Sequence, residues 1–135
     1  MTIIAPSLLA ADTFKLEQQI NEVEAAGISR LHLDIMDGHY VPNINFGDKF
    51  VKEVRAHTKA ELDIHLLTET PEKYVDQMID AGGDIINFHP ETTRQPVALI
   101  NHIHARGKKV GIALDPGLSY RTYLPLLDFV DQVLV

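Results

Sequence analysis

The chain has 135 residues, of which 45% are apolar and 23% are charged, and it contains no cysteine. These proportions exclude an intrinsically disordered chain, and the lack of cysteine excludes a disulfide framework, a thiolate metal site and a cysteine nucleophile. The net charge of −7 disfavours a nucleic-acid partner, because binding a phosphate backbone needs a large basic surface. No apolar run approaches the roughly 20 residues of a membrane span, and no basic region typical of a signal peptide precedes the first apolar run. We therefore expect a cytoplasmic protein with no membrane and no nucleic-acid partner.

Strand and helix patterns alternate from the start of the chain. The first half predicts, in chain order, a strand over residues 3–8, a helix over about 13–26, a strand over 30–36, a loop over 39–47, a helix over 48–57, a strand over 60–67 and a helix over about 70–81. Asp12 or Thr13 is a suitable N-cap for the first helix. Thr70 followed by Pro71 is typical of a helix start.

The second half continues the alternation. It predicts a strand over residues 85–89, a helix over about 95–106, a strand over 109–114, a helix over about 120–127 and a sixth strand that begins near Gln132. Strict alternation indicates a parallel sheet with helices outside it, which fits either a (βα)8 TIM barrel or a doubly wound open sheet. No G-x-G-x-x-G motif follows the first predicted strand, and this favours the barrel.

Polar residues share one face of the second predicted strand. His32, Asp34 and Met36 project together, because residues two apart in a strand point to the same side of the sheet. Asp63 and His65 repeat the arrangement on the third predicted strand. One interpretation is a structural hydrogen bond between a histidine and an aspartate, which would satisfy these groups where they are buried.

The second interpretation is a metal site. Histidines on two neighbouring strands can converge on one divalent cation, with Asp34 as a third ligand and Asp63 orienting a ligand histidine. Imidazole and carboxylate ligands suit Zn²⁺, Fe²⁺ or Mn²⁺ better than Mg²⁺ or Ca²⁺. We expect one divalent metal ion, held by His32, Asp34 and His65.

Five further polar residues are weaker candidates. Ser7 ends the first predicted strand, where its hydroxyl can reach a substrate or simply cap a turn. His89 ends the fourth predicted strand and can line the same edge of the sheet or be an ordinary loop histidine. Three other histidines are interpreted as surface residues: His57, His102 and His104.

Three segments together resemble the ribulose-phosphate 3-epimerase family. The sequence over residues 4–12 is similar to the opening of that family, and the sequence over 32–43, HLDIMDGHYVPN, is similar to its most specific signature. The sequence LDIHL over residues 62–66 resembles its second metal motif. The similarity continues through residues 107–114 and the closing residues 133–135, so it covers the whole chain.

The resemblance implies a (βα)8 TIM barrel of the ribulose-phosphate-binding type. It implies inversion of C3 of D-ribulose 5-phosphate to D-xylulose 5-phosphate through an enediolate, a step of the pentose phosphate pathway. His32, Asp34 and His65 would bind the divalent metal, and Asp34 would also act as a catalytic acid/base. Ser7, His65 and Met36 would contact a small sugar-phosphate substrate.

Parts of the family pattern are missing from these residues. In the family, a second acid/base aspartate on the seventh strand is the fourth metal ligand, and glycine-rich backbone after strands six to eight holds the phosphate. A barrel of eight such units needs roughly 200 residues. We therefore expect residues 1–135 to form one truncated barrel domain, from the first strand to the start of the sixth.

Two alternative functions stay open at this point. The sequence HPET over residues 89–92 resembles D-allulose-6-phosphate 3-epimerases, which would make the substrate a hexulose phosphate. The other alternative is a non-catalytic piece of a barrel that binds metal or pairs with another copy. Unpaired strand edges favour association, and we expect a homo-oligomer.

Overall fold

The computed structural model describes residues 2–135. Its strands are β1 (Arg30–Asp37), β2 (Ile44–Asn45), β3 (Glu61–Leu67), β4 (Ile85–Phe88), β5 (Lys109–Ala113) and β6 (Gln132–Leu134). Its α-helices are α1 (Leu16–Ala25), α2 (Asp48–His57), α3 (Val75–Asp80) and α4 (Pro96–Ala105). No helix within residues 2–135 is long and apolar enough to cross a membrane.

The six strands form one sheet in the order β2-β1-β3-β4-β5-β6. All neighbouring pairs from β1 to β6 are parallel, and only the short β2 runs antiparallel to β1. Helices α2, α3 and α4 connect consecutive parallel strands, as in the wall of a TIM barrel. The predicted fold class is therefore confirmed, as a mixed α/β chain that forms part of a (βα)8 barrel.

One face of the sheet is apolar except for Asp37, the last residue of β1. Its apolar side chains are buried in a single hydrophobic core together with apolar residues of the helices, among them Ile20, Val51, Val54, Met78, Ile100 and Ile103. The sheet residues of this face are Leu31, Leu33, Ile35, Leu62, Ile64, Leu66, Ile86, Phe88, Val110 and Ile112. Each such side chain contributes about 1.5–3 kcal/mol to the free energy of folding when it is removed from water. This face therefore fixes where the helices pack.

The opposite face carries the other polar residues. Asp34 is paired with His65, and His65 is paired in turn with Asn87 on β4. A slip of one residue in β1 would move His32 and Asp34 into the apolar core, which is costly for groups of this polarity. The apolar face therefore fixes the register that holds the polar side chains together.

The predicted first strand is largely wrong. Within residues 3–8, only Ser7 forms a bridge, to His32, and the His32 N–H donates to the Pro6 carbonyl at 2.9 Å. Pro6 has no N–H to donate to a ladder, and a 3₁₀ helix over Leu8–Ala10 begins directly after Ser7. The bridge still brings Ser7 to the edge at which β1 ends.

Three of the predicted helices form partly or wholly as 3₁₀ helix instead of α-helix. The helix over 13–26 begins as a 3₁₀ turn, Thr13–Lys15, with Asp12 as its N-cap. The helix over 70–81 divides in the same way, into Pro71–Lys73 and α3. The segment 120–127 forms 3₁₀ helices, Tyr120–Thr122 and Leu124–Phe129, because Pro125 lacks the N–H that an α-helix there would use.

The predicted loop over 39–47 contains β2, which pairs Met36 with Asn45 and Asp37 with Ile44. A strand of two residues gives no periodicity to detect. Its pairing adds a short strand beside the end of β1, near the polar side chains.

Candidate active site and metal centre

Strands β1 and β3 bring three possible metal ligands together. One ligand atom from each of His32, Asp34 and His65 lies within 4.8 Å of the other two. His32 Nε2 is 3.2 Å and His65 Nδ1 is 3.0 Å from the same oxygen, Asp34 Oδ1. The three residues predicted from the sequence as ligands thus converge on one point.

The two carboxylate oxygens of Asp34 have different surroundings. Oδ1 faces the two histidines, whereas Oδ2 accepts a hydrogen bond of 2.6 Å from the Ser7 hydroxyl. Burial alone would raise the pKa of Asp34, but the hydrogen bonds from His32, His65 and Ser7 outweigh it and hold the pKa far below its usual range. Asp34 is therefore an ionised carboxylate with one oxygen on each side of the site.

Asp63 orients the ring of His32. Its Oδ2 lies 2.7 Å from His32 Nδ1, so the proton on Nδ1 is directed to Asp63 and Nε2 is left facing Asp34. Burial lowers the pKa of His32, but its two hydrogen-bonded aspartates more than reverse this and raise the pKa to about 9. Burial likewise opposes ionisation of Asp63, yet hydrogen bonds from His32 and Asn87 keep its pKa low.

A second set of polar groups adjoins His65. Its Nε2 lies 3.0 Å from His89 Nε2, and His89 Nδ1 lies 3.2 Å from Glu91 Oε1. The hydroxyl of Tyr40 is 3.0 Å from both Glu91 Oε1 and Asp115 Oδ2. If an ion replaces the proton on His65 Nδ1, a proton on His65 Nε2 and one on His89 Nδ1 pair a donor with an acceptor in both contacts from His65 to Glu91.

His89 therefore lies at the site and is buried, as one of its two interpretations predicted. Burial, followed by the nearby His65, lowers the pKa of His89, which favours the neutral ring that this hydrogen bonding requires. Tyr40 was not predicted, because a tyrosine in a loop carries no pattern that indicates where the loop folds.

The remaining predicted residues divide into two groups. Met36 lies on the face of β1 that carries Asp34, half-buried at the end of the strand. The three histidines interpreted as surface residues are exposed: His57, His102 and His104. The last two pair with Asp76 and Asp131, away from the site.

The donor set fits a divalent metal ion. Two imidazole nitrogens and a carboxylate oxygen are the ligands that Zn²⁺, Fe²⁺ and Mn²⁺ accept. The contact of His32 Nδ1 with a carboxylate is the usual support of a metal-binding histidine, since it fixes the tautomer and leaves the other nitrogen for the ion. His32, Asp34 and His65 are thus the residues that would hold the ion.

Comparison with known proteins gives a consistent result. The family model described as Ribulose-phosphate 3 epimerase family matches residues 3–135. The ribulose-phosphate 3-epimerase of Treponema pallidum (strain Nichols) is 40% identical over 132 residues, which is 98% of this chain and 61% of the relative. The enzymes of that name from Schizosaccharomyces pombe and Bacillus subtilis are 42% and 38% identical, over 98% and 100% of this chain.

The chain spans 59% and 62% of the length of the Schizosaccharomyces pombe and Bacillus subtilis relatives, respectively. The match nevertheless runs through every strand of the sheet and through all three converging ligands. The chain belongs to the ribulose-phosphate 3-epimerase family.

Proposed function

We propose that this chain carries the metal-binding part of an epimerase site that inverts C3 of D-ribulose 5-phosphate to give D-xylulose 5-phosphate. The observation that carries the proposal is the convergence of His32, Asp34 and His65 on one point, with Asp34 ionised. The names of the relatives, ribulose-phosphate 3-epimerases, support the substrate class, a small sugar phosphate.

The reaction begins with the loss of a proton from C3. A proton beside a ketone is a weak acid, so its removal requires an acceptor carboxylate and stabilisation of the negative charge that forms on the carbonyl oxygen. A divalent ion at the site would supply that stabilisation.

Asp34 is the proposed proton acceptor. Its Oδ1 is directed to the ligand histidines, which leaves Oδ2, on the side of Ser7, to take the C3 proton. The 2.6 Å hydrogen bond from Ser7 fixes the direction of Oδ2. Met36, on the same face of β1, would pack beside the planar enediolate.

Inversion also needs a proton donor on the opposite face of the enediolate. The family pattern assigns this role to an aspartate on the seventh strand, and it assigns phosphate binding to glycine-rich backbone after strands six to eight. These elements follow the sixth strand, so the proposal for the complete activity concerns the protein with those elements in place. With an ion bound, Asp34 would be the one acid/base needed for a half-reaction, the exchange of the C3 proton.

The proposal also includes an oligomeric state and a cellular location. A homo-oligomer is expected, because edge strands and the exposed apolar side chains of Phe14, Ile44 and Tyr120 favour association. A cytoplasmic location is expected from the absence of cysteine. One relative is described as chloroplastic, the ribulose-5-phosphate-3-epimerase of Arabidopsis thaliana, 40% identical over 135 residues.

The test is solvent exchange at C3. The protein, loaded with Zn²⁺ or Mn²⁺, is incubated in deuterated water with D-ribulose 5-phosphate or D-allulose 6-phosphate, and loss of the C3 proton signal is followed by NMR. We expect exchange with the pentulose phosphate and none with Asp34→Asn. Asp37→Asn is the matched control, since Asp37 ends the same strand and bonds to Tyr74 instead of the ligand histidines. Exchange retained by Asp34→Asn would exclude Asp34 as the base, and faster exchange of the hexulose would reassign the substrate.

A further inference from the structure

A line of buried polar side chains continues from Asp63 across the sheet, away from the ligands. Asp63 is 2% exposed and Asn87, on β4, is 0% exposed. The Oδ1 atom of Asp63 accepts from Asn87 Nδ2 at 2.9 Å and from Gln132 Nε2 at 2.7 Å. Gln132 lies on β6, so three strands contribute to the environment of this one carboxylate.

The contacts of the two amides leave one consistent orientation for each. Asn87 Nδ2 also donates to the Ile64 carbonyl at 3.1 Å, and Asn87 Oδ1 accepts from Gln132 Nε2 at 2.6 Å. Gln132 Oε1 accepts in turn from Arg30 Nη1 at 2.8 Å. Turning either amide would place two donors or two acceptors against each other.

The amides meet because the strand between them carries no side chain at that level. Gly111 of β5 is paired with Asn87 on one side and with Gln132 on the other. A Cβ atom at Gly111 would lie 2.0 Å from Asn87 Oδ1 and 2.7 Å from Gln132 Cγ. Glycine at this position is therefore what allows β4 and β6 to bond across β5.

Ion pairs hold the other end of this line, at Arg30. Arg30 binds Glu61 Oε2 at 2.7 Å, and Lys109 binds Glu61 Oε1 at 2.6 Å. The line thus runs from an ion-paired arginine through two amides to the carboxylate that holds His32. Of the contacts along this line, only the one between Asp63 and His32 involves a proposed metal ligand.

We propose that Asn87 and Gln132 are positioning residues for the metal centre: their two N–H groups hold Asp63 Oδ1, so that Asp63 Oδ2 is aimed at His32 Nδ1 and His32 Nε2 faces the ion. A buried carboxylate without these donors would turn toward another partner, because burial of an unpaired polar group is unfavourable. The inference extends the proposed function and depends on it for the ion, but the orientation of His32 is a property of the chain itself.

The experiment compares Gln132→Met and Asn87→Leu with the unmodified chain. Both substitutions remove the amide and keep a similar volume, and Gln132 is only partly buried, so Gln132→Met disturbs packing least. The first measurement is the ¹H–¹⁵N NMR signal of the His32 Nδ1 proton in metal-free protein. We expect a strongly deshielded, slowly exchanging proton in the unmodified chain and its loss in both variants.

The second measurement is the dissociation constant for Zn²⁺, by competition with a chromogenic chelator. We expect about tenfold weaker binding in each variant, as for other residues that orient metal-binding histidines. Ile85→Val is the matched control, because Ile85 is fully buried on β4 and lies on the same face of the strand as Asn87. It should lose stability and keep both the proton signal and the Zn²⁺ affinity.

The outcomes separate the two proposals. An unmodified chain that binds no Zn²⁺ contradicts the proposed function, whereas the His32 proton signal still decides the positioning role. A signal retained in both amide variants, or lost equally in Ile85→Val, overturns the inference.

Discussion

His32 Nδ1 lies 2.7 Å from Asp63 Oδ2, the two residues being partners in the register of β1 and β3. This contact directs His32 Nε2 toward Asp34 and makes Asp63 a support of the candidate metal centre, although Asp63 is not one of its three possible ligands. We predict that Asp63→Asn weakens Zn²⁺ binding by about 10–100-fold, because the neutral amide neither fixes the tautomer of His32 nor increases its basicity.

The measurement is the Zn²⁺ dissociation constant by chelator competition. Asp80→Asn is a suitable control, since Asp80 is an exposed aspartate whose partner is Arg106. Equal affinity of the Asp63→Asn variant and the unmodified chain would show that the contact has no role in binding.

The ligand histidines give a second prediction. The double variant His32→Ala/His65→Ala should retain no bound divalent metal after dialysis, because Asp34 would be the single ligand left of the three. Metal content is measured by elemental analysis of purified protein. The control is His102→Ala/His104→Ala, which removes two exposed histidines on α4. Equal metal content in all three proteins would place the metal elsewhere.

The site could be predicted from the sequence as far as it depends on alternation within single strands. His32 and Asp34 are two apart, as are Asp63 and His65, and adjacent parallel strands bring such pairs to one edge. No comparable pattern marks Asn87 and Gln132, because their contact joins strands that are not neighbours and depends on an intervening glycine. Long-range register decides such contacts, and it has no local signal.

The fold shows the same division between local and long-range causes. The parallel alternation was predictable because strongly apolar runs and helix caps are local features. The segment at residues 3–8 was not, since its pairing with β1 amounts to one bridge, at Ser7. The bridge matters for the site nevertheless, because it places the Ser7 hydroxyl on Asp34.

Gly111 gives a third prediction, on stability. In Gly111→Ala the new methyl group would overlap Asn87 Oδ1 and Gln132 Cγ, so the two amides must separate. Overpacking of this kind costs about 1–3 kcal/mol in the free energy of unfolding, measured by urea denaturation. The same variant should weaken Zn²⁺ binding if the amides position Asp63.

Gly47→Ala is the matched control for that substitution. Gly47 has extended backbone, and a Cβ atom there would meet nothing within 4 Å. Because Gly47 is the N-cap of α2, where alanine is less favourable than glycine, the variant's free energy of unfolding should fall by about 0.5 kcal/mol. A similar loss in both variants would mean that the cost at Gly111 comes from the backbone and not from the amides.

Asp131 gives a prediction on pH. Burial alone would raise the pKa of Asp131, but the Val110 N–H, at 2.8 Å, and the His104 ring, at 3.0 Å, outweigh it and lower the pKa. Because the pKa is lower in the folded chain, the ionised carboxylate contributes stability above its unfolded pKa of about 3.9, and that stability is lost as the pH falls through the folded pKa. Asp131→Asn should therefore be less stable than the unmodified chain at pH 7, by at most about 1 kcal/mol for so exposed a group, and the difference should shrink below about pH 4. The difference in free energy of unfolding is measured by urea denaturation at a series of pH values. Asp128→Asn, at an exposed position, is the control for removal of a nearby charge. A difference that persists unchanged at low pH would show that the amide disturbs packing and that the ionisation of Asp131 contributes nothing.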